Sequence, residues 1–379
     1  MNIVKKAGCL LINMKEGKIA LVLRKGDYSF PKGHLEEMET VKDCAKRETI
    51  EETGHEVEIL GEEISIIRYR SSGGEEVENH LFIGIDLGRT NKKIAEEDKE
   101  KTEWFKIDMI EEKLSYQNLK DIWNEIRPKI ERIVSELQLD ILISKQDKYY
   151  YSYIKLKDES YIPTNIYYIE DLNLKEMEQY NFNNHIIYFL CNLSLNNKVI
   201  SALKNQNCYI INKDFFLNKY TKLEVQQVLD KNKIDIPEII KCSRLNKIQY
   251  PIFCKENSHV GINLIVYSEN TLVKFFCKFN ISDFYLEKII NGGKEIKLYC
   301  INNIVYDNNK IINNKELKKL FGKITNSLQI ETYSADIINK ENKNIVIDIN
   351  PNSGFWGSNI ARKNFLKYVI DCSKNVIDN

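Results

Sequence analysis

The stretch that most restricts this chain is Tyr28–Val57, YSFPKGHLEEMETVKDCAKRETIEETGHEV. Val41 to about Thr53 is charged and free of glycine and proline, so it reads as a helix that Gly54 ends. On that helix Glu48, Glu51 and Glu52 stand at i, i+3 and i+4 and share one face. Three like charges there repel one another unless water or a cation compensates them. Hard oxygen donors of this kind suit Mg²⁺ or Mn²⁺. Arg47, four residues before Glu51, is placed to hold that carboxylate. Phe30-Pro31-Lys32-Gly33 reads as a rigid turn with a lysine for a phosphate and a glycine for a tight bend. On spacing alone, a solvated acidic helix face accounts for the pattern as well as a metal site does.

The rest of the chain sets the frame. A length of 379 residues predicts two or three domains. We read residues 1–139 as the first, 140–218 as a small α/β domain rich in Tyr, Asn and Ile, and 219–379 as the third. In the first, GCLLIN and KIALVLR form a strand pair. EEISIIRYR and HLFIGIDL form another, across Ser71-Ser72-Gly73-Gly74. An amphipathic helix from about Leu119 to Leu137 follows, with Pro128 as a point where it can kink or split. In the second domain, alternating strands and helices predict a small parallel sheet. Lys+Arg and Asp+Glu are both 55, so net charge gives no reason to expect nucleic acid or an anionic membrane as a partner. No apolar run approaches the ~18 residues of a membrane span, and the apolar N-terminal stretch is too short for a signal peptide. Nine cysteines, with no CxxC pair, fit a reducing compartment, so we expect a cytoplasmic location.

From Gly33 the chain runs to Glu39, then to Arg47-Glu48, Glu51-Glu52 and Gly54, at the offsets of a complete Nudix box. Residues 3–138 thus resemble a Nudix hydrolase. Thr49 and His55 depart from the pattern, where hydrophobic residues are usual. The resemblance implies an α/β/α sandwich that hydrolyses a nucleoside diphosphate linked to another moiety, with bound Mg²⁺ or Mn²⁺. It implies Glu48, Glu51 and Glu52 as metal ligands, Glu52 or a downstream acid as the group that orients or deprotonates water, and Arg47 and Glu39 as supports of the loop. Glu97, Asp98 and Glu100 are the candidate downstream acids. SFPKGHLE, with Lys32 and Gly33, resembles the box region of diadenosine tetraphosphate hydrolases, which implies a dinucleoside polyphosphate substrate. Relatives acting on diphosphoinositol phosphates or RNA caps share similar strings. Tyr69, His80 and Phe82 are candidates for base contact, or ordinary strand residues.

A second constellation is YSADIINKENKNIVIDINPNSGF. Asp336 reads as the end of one strand, and Asp348 and Asn350 lie two apart on the next, facing one side. Two carboxylates and an amide oxygen make a hard-metal site, or else a hairpin with solvated acids. Asp-x-Asn-x-x-x-Gly after an upstream Asp resembles the metal end of the ATP-grasp fold. The resemblance implies ATP held by Lys219, Lys255, the Gly261 loop, a hinge at Glu287, Lys288, Ile289 and Ile290, and Glu295 beyond it. His259 lies in the same loop. Many such ligases carry a basic residue just before the first metal Asp; none stands there, and Arg362 is a possible substitute. We therefore expect a Nudix sandwich, a small α/β pre-grasp domain and an ATP-grasp domain. The last would use ATP and Mg²⁺ to join a carboxylate to an amine, both acceptors being unknown. Asp-x-Asn also occurs in kinases of this fold, and a nucleotide sensor or scaffold is the reading outside catalysis.

Overall fold

Apolar alternation builds the first sheet. In this computed structural model, residues 3–71, 73–90, 101–145, 150–191, 193–240, 248–258 and 261–377 are described. β1 (Val4–Asn13) and β2 (Lys18–Arg24) form the expected antiparallel pair, followed by β3 (Asp27–Ser29) and β4 (Lys32–His34). After α1 (Val41–Thr53) come β5 (His55–Arg70) and β6 (Glu76–Arg89), paired antiparallel, then β7 (Lys101–Lys106). The order is β3-β2-β1-β6-β5; β4 pairs with the start of β1, and β7 pairs with β2. Only β1 and β6 run parallel. One face packs Ala7, Cys9, Val57 and Phe82 against Cys44 and Ala45 of α1. The other packs Leu10, Ile12, Leu81, Ile83 and Ile85 with the helices that follow, α2 (Ile110–Lys113) and α3 (Gln117–Glu136). α3 runs through Pro128 as one helix. Pro128 is exposed, so water can serve the carbonyl that loses its donor.

β8 (Gln138–Ile143) follows α3 after a single residue and opens a second, all-parallel sheet. Its other members are β9 (Thr164–Tyr168), β10 (His185–Leu190) and β11 (Tyr209–Ile210), in the order β11-β10-β8-β9. α4 (Tyr150–Glu159), α5 (Leu193–Ala202) and α6 (Lys213–Asn218) alternate with the strands. Both faces are covered: Ile141, Ile143 and Tyr188 join the core around α3, while Leu142, Ile187 and Phe189 join another.

After α7 (Lys222–Lys231) come β12 (Ile239–Ile240), β13 (Ile252–Glu256), β14 (Asn263–Val266), α8 (Glu269–Phe276) and β15 (Phe284–Lys288). Their strands form an antiparallel sheet, β12-β15-β13-β14. A fourth sheet contains β16 (Lys294–Ile301), β17 (Ile304–Tyr306), β18 (Thr332–Lys340) and β19 (Lys343–Asn350), with α9 (Lys315–Leu328) packed on it. Its order is β17-β16-β18-β19. α10 (Asn359–Cys372) and α11 (Lys374–Ile377) then return to the first core, where Phe365, Val369 and Ile370 cluster with Trp123 and Tyr188. One apolar core therefore joins the first sheet, α3, the second sheet and α10. Among the described residues no helix is long and apolar enough to cross a membrane.

Candidate active sites

α1 is bounded by local chemistry. Thr40 caps it by accepting from the Asp43 N–H, and Gly54 ends it at φ 69° with its N–H on the Ile50 carbonyl. Its buried side is Cys44, Ala45, Thr49 and Thr53. Thr49 is thus a core residue, which explains why a hydrophobic residue is usual there.

The opposite side carries the acids. Arg47 donates through Nε and Nη2 to the two Glu39 oxygens, each at 2.9 Å, and to the His34 carbonyl, also at 2.9 Å. Its Nη1 lies 2.7 Å from Glu48 Oε1 and 3.3 Å from Glu51 Oε2. One guanidinium therefore ties the box loop to the helix. Its hydrogen bonds hold the Glu39 carboxyl below the usual carboxylate range. Glu48 lies so close to Gly33 that a Cβ there would fall 1.9 Å from Glu48 Oε2. That close approach is why residue 33 has no side chain.

Glu52 accepts from the Lys32 backbone N–H at 2.9 Å, and Arg24 Nη2 stands 3.7 Å away. Burial pushes the Glu52 carboxyl up, against the Lys32 N–H, the Lys32 amine and Arg24; burial likewise pushes the Lys32 amine down.

Among the described residues no three acids, imidazoles or thiols already converge. The Arg47 cation bridges Glu48 and Glu51 instead. The donor set is all carboxylate oxygen on one helix face, and the absence of a side chain at Gly33 lets the Glu48 carboxylate seat against the box loop, so the residues fit a hard divalent cation. Glu97, Asp98 and Glu100 lie outside the described residues. Of the candidate base contacts, Phe82 is a correction: it is 2% exposed in the core under α1. His80 hydrogen-bonds Glu63 from that same face, while Tyr69 lies on the opposite one, against the α3 core. His55 bonds Asp86, its Nδ1 2.9 Å from Oδ1.

The second site lies between the two antiparallel sheets. Lys255 on β13 pairs with Glu287 Oε2 on β15 at 2.7 Å and donates to the Ile347 carbonyl on β19 at 3.0 Å. Burial raises the Glu287 carboxyl despite Lys255. Cross-strand register puts Lys297, Asp336 and Asp348 side by side, and Ser334 beside Asn350, on one face. Lys297 Nζ is 3.1 Å from Asp336 Oδ1. Asp336 lies in mid-strand, not at a strand end as its sequence context suggests, because β18 runs on to Lys340. Buried Gln226 Oε1, Glu287 Oε1 and Ser334 Oγ have no hydrogen-bond partner. Orphaned polar atoms beside the amines of Lys255 and Lys297 and the carboxylates of Glu287, Asp336 and Asp348 fit a ligand with phosphates and a cation.

The structure places several of the expected residues differently. Lys219 caps α6 and is exposed, whereas Lys222, one turn on, is 7% exposed with Nζ 3.7 Å from Asp348 Oδ2. The signal was the capping box Thr221–Glu224, which starts α7 with Lys222 turned inward. Lys297, on the neighbouring strand, sets a cation beside Asp336, which has no basic residue just before it in the sequence, and only strand register reveals the pairing. Arg362 does not fill that place: it is 3% exposed and bound to both Glu159 oxygens, at 2.7 and 2.8 Å. Lys288 pairs with Glu238, Ile289 and Ile290 are half-buried beyond β15, and Glu295 is exposed on β16. Gly261 packs on Glu256, which also accepts the Ile262 N–H at 2.9 Å. His259 lies outside the described residues.

Residues 3–125 match the family model of the NUDIX domain. Among solved structures, a NUDIX hydrolase from Nitrosomonas europaea is similar at 20% identity, over 34% of this chain and 90% of that one, with a TM-score of 0.30. A D-alanine–D-alanine ligase from Bacillus anthracis, complexed with ATP, is similar at 15% identity over 58% of this chain and 87% of that one, TM-score 0.46. A RimK domain ATP-grasp protein from Sphaerobacter thermophilus is similar at 11% identity over 64% and 98%, TM-score 0.48.

Proposed function

We propose that the chain carries two chemistries. The N-terminal site hydrolyses a nucleotide-linked pyrophosphate, with a dinucleoside polyphosphate such as diadenosine tetraphosphate as the best-supported substrate. The observation that carries this reading is the meeting of Glu52 and Lys32, a carboxyl raised and an amine lowered by burial, beside Glu48 at Gly33. Glu48, Glu51 and Glu52 would hold Mg²⁺ or Mn²⁺, which when bound neutralises the pyrophosphate and activates water. The protein's own part is positional and acid–base. Arg47 holds Glu48 and Glu51. The Lys32 N–H orients Glu52, and Glu52 or an acid further along the chain would orient the attacking water or take its proton. Lys32 and Arg24 offset phosphate charge.

The C-terminal site binds ATP with Mg²⁺, in the manner of an ATP-grasp ligase that joins a carboxylate to an amine. Lys222 and Lys255 would meet phosphates, and Asp336, Asp348 and Asn350 would hold the cation.

The test is a hydrolysis panel of diadenosine tetraphosphate, nucleoside triphosphates, ADP-ribose, NAD and a sugar nucleotide, with Mg²⁺ and with Mn²⁺. ATP plus AMP from the first compound is expected. Glu52→Gln should lower that rate at least a thousandfold while ATP still binds the C-terminal site. Loss of both together would overturn the two-site reading, and no turnover of the first compound would overturn its choice as substrate. For the C-terminal site, ADP release that requires both a carboxylate and an amine is expected. ATP held without ADP release would overturn the ligase reading.

A further inference from the structure

His55 stands directly after Gly54, the stop of α1, at a box position that is usually hydrophobic. A buried carboxylate faces it and needs a donor. The His55 Nδ1 lies 2.9 Å from Asp86 Oδ1 on β6. Asp86 also accepts from the Gly88 N–H at 2.8 Å and from Asn13 Nδ2 at 3.2 Å. One carboxylate thus ties the start of β5 to the ends of β6 and β1. The His55 ring in turn meets the Trp104 ring on β7 edge-on, with centroids 5.2 Å apart.

β7 touches α1 a second time. Thr102, two residues before Trp104 and on the same strand face, donates its hydroxyl to the Glu52 carbonyl at 3.2 Å. That carbonyl is among the last of α1, which lack a donor within the helix. The side chain of the same residue accepts the Lys32 N–H at 2.9 Å. Glu52 is therefore held twice, its carboxylate by the box loop and its backbone by β7.

We propose that His55 is a positioning residue for the Nudix site. Anchored on Asp86, it sets Trp104 and β7 so that Thr102 fixes the backbone of Glu52, and with it the carboxylate. This rests on the hydrolase reading of Glu52 as a metal ligand.

The experiment titrates the full chain with Mn²⁺ in the absence of nucleotide, the Nudix site being the binding that Glu52→Gln removes. It also measures kcat and KM for diadenosine tetraphosphate. His55→Leu and Thr102→Val should each weaken that Mn²⁺ binding about tenfold and lower kcat by a similar factor, with KM within about twofold of wild type. Thr102→Ser, which keeps the hydroxyl, should behave as wild type. His55→Leu and Thr102→Val together should cost little more than the worse of the two, because both cut one path. Loss of folded protein lowers kcat and the number of Mn²⁺ sites but leaves their dissociation constant unchanged. An unchanged Mn²⁺ dissociation constant in His55→Leu, equal effects of Thr102→Val and Thr102→Ser, or fully additive losses would each overturn the proposal. Failure of the hydrolase reading looks different: no Glu52-dependent turnover, while Mn²⁺ affinity still follows His55 and Thr102.

Discussion

Lys255 and Glu287 form a buried pair whose contribution to stability and whose proposed part in ATP binding can be measured separately. Glu287 is 1% exposed and its carboxylate is compensated chiefly by Lys255. Removing one partner of a buried pair strands the other charge. Lys255→Met should therefore destabilise the protein by about 3–5 kcal/mol, read as a shift of the denaturant midpoint. Adding Glu287→Gln should recover most of that loss, while ATP binding stays weak because the amine is still gone. If the double variant is as unstable as the single one, stranded charge is not the cause. Both residues stand in the sequence without any mark of their pairing. They lie 32 positions apart, and the strand register Phe253↔Glu287 and Lys255↔Tyr285 brings them together.

Helix α1 depends on the clamp from Arg47 to the preceding loop. Its spacing was legible because i, i+3 and i+4 geometry is set by the helix itself. The Glu39 carboxyl is depressed chiefly by its hydrogen bonds from Arg47. A depressed carboxyl contributes stability above its unfolded value, about 4.3, and loses it as pH falls through the folded value. Arg47→Met should cost about 2–3 kcal/mol near neutral pH. It should also flatten the fall in stability below about pH 5 relative to wild type. Chemical unfolding at several pH values measures both. A parallel pair of curves would mean that Glu39 owes its ionisation to something other than Arg47.

At the scale of the whole molecule, Asn212 joins the second sheet to the fourth. Its Nδ2 donates to the Thr332 and Pro351 carbonyls at 2.7 and 3.0 Å, and its Oδ1 accepts from the Glu331 and Thr332 N–H groups at 2.8 and 2.9 Å. It sits at φ 63°, which asparagine tolerates better than most residues. Asn212→Ala leaves four backbone groups, three of them in buried bonds, without that partner and should cost roughly 3–5 kcal/mol. We expect the C-terminal site to loosen with it, since Pro351 follows the strand bearing Asp348 and Asn350. A midpoint shift below about 1 kcal/mol, with unchanged ATP affinity, would show that the junction is held elsewhere. The shared core around Trp123, Tyr188 and Phe365 predicts that such losses are felt across the chain rather than in one unit.

What the sequence determined by itself is what short-range geometry can carry. The helix that groups Glu48, Glu51 and Glu52, its glycine stop, the β1–β2 and β5–β6 hairpins, and the parallel sheet of alternating elements all follow from periodicity and turn chemistry within a few tens of residues. Tertiary structure decided what depends on register and on long-range contacts. It turned Lys222 rather than Lys219 inward, set Lys297 beside Asp336, occupied Arg362 with Glu159, put Phe82 in the core, and brought Asp86 to His55. The physical reason is the period of two in a strand. A shift of one residue in pairing sends every side chain to the other face, and the partner strand, far away in the chain, chooses the register.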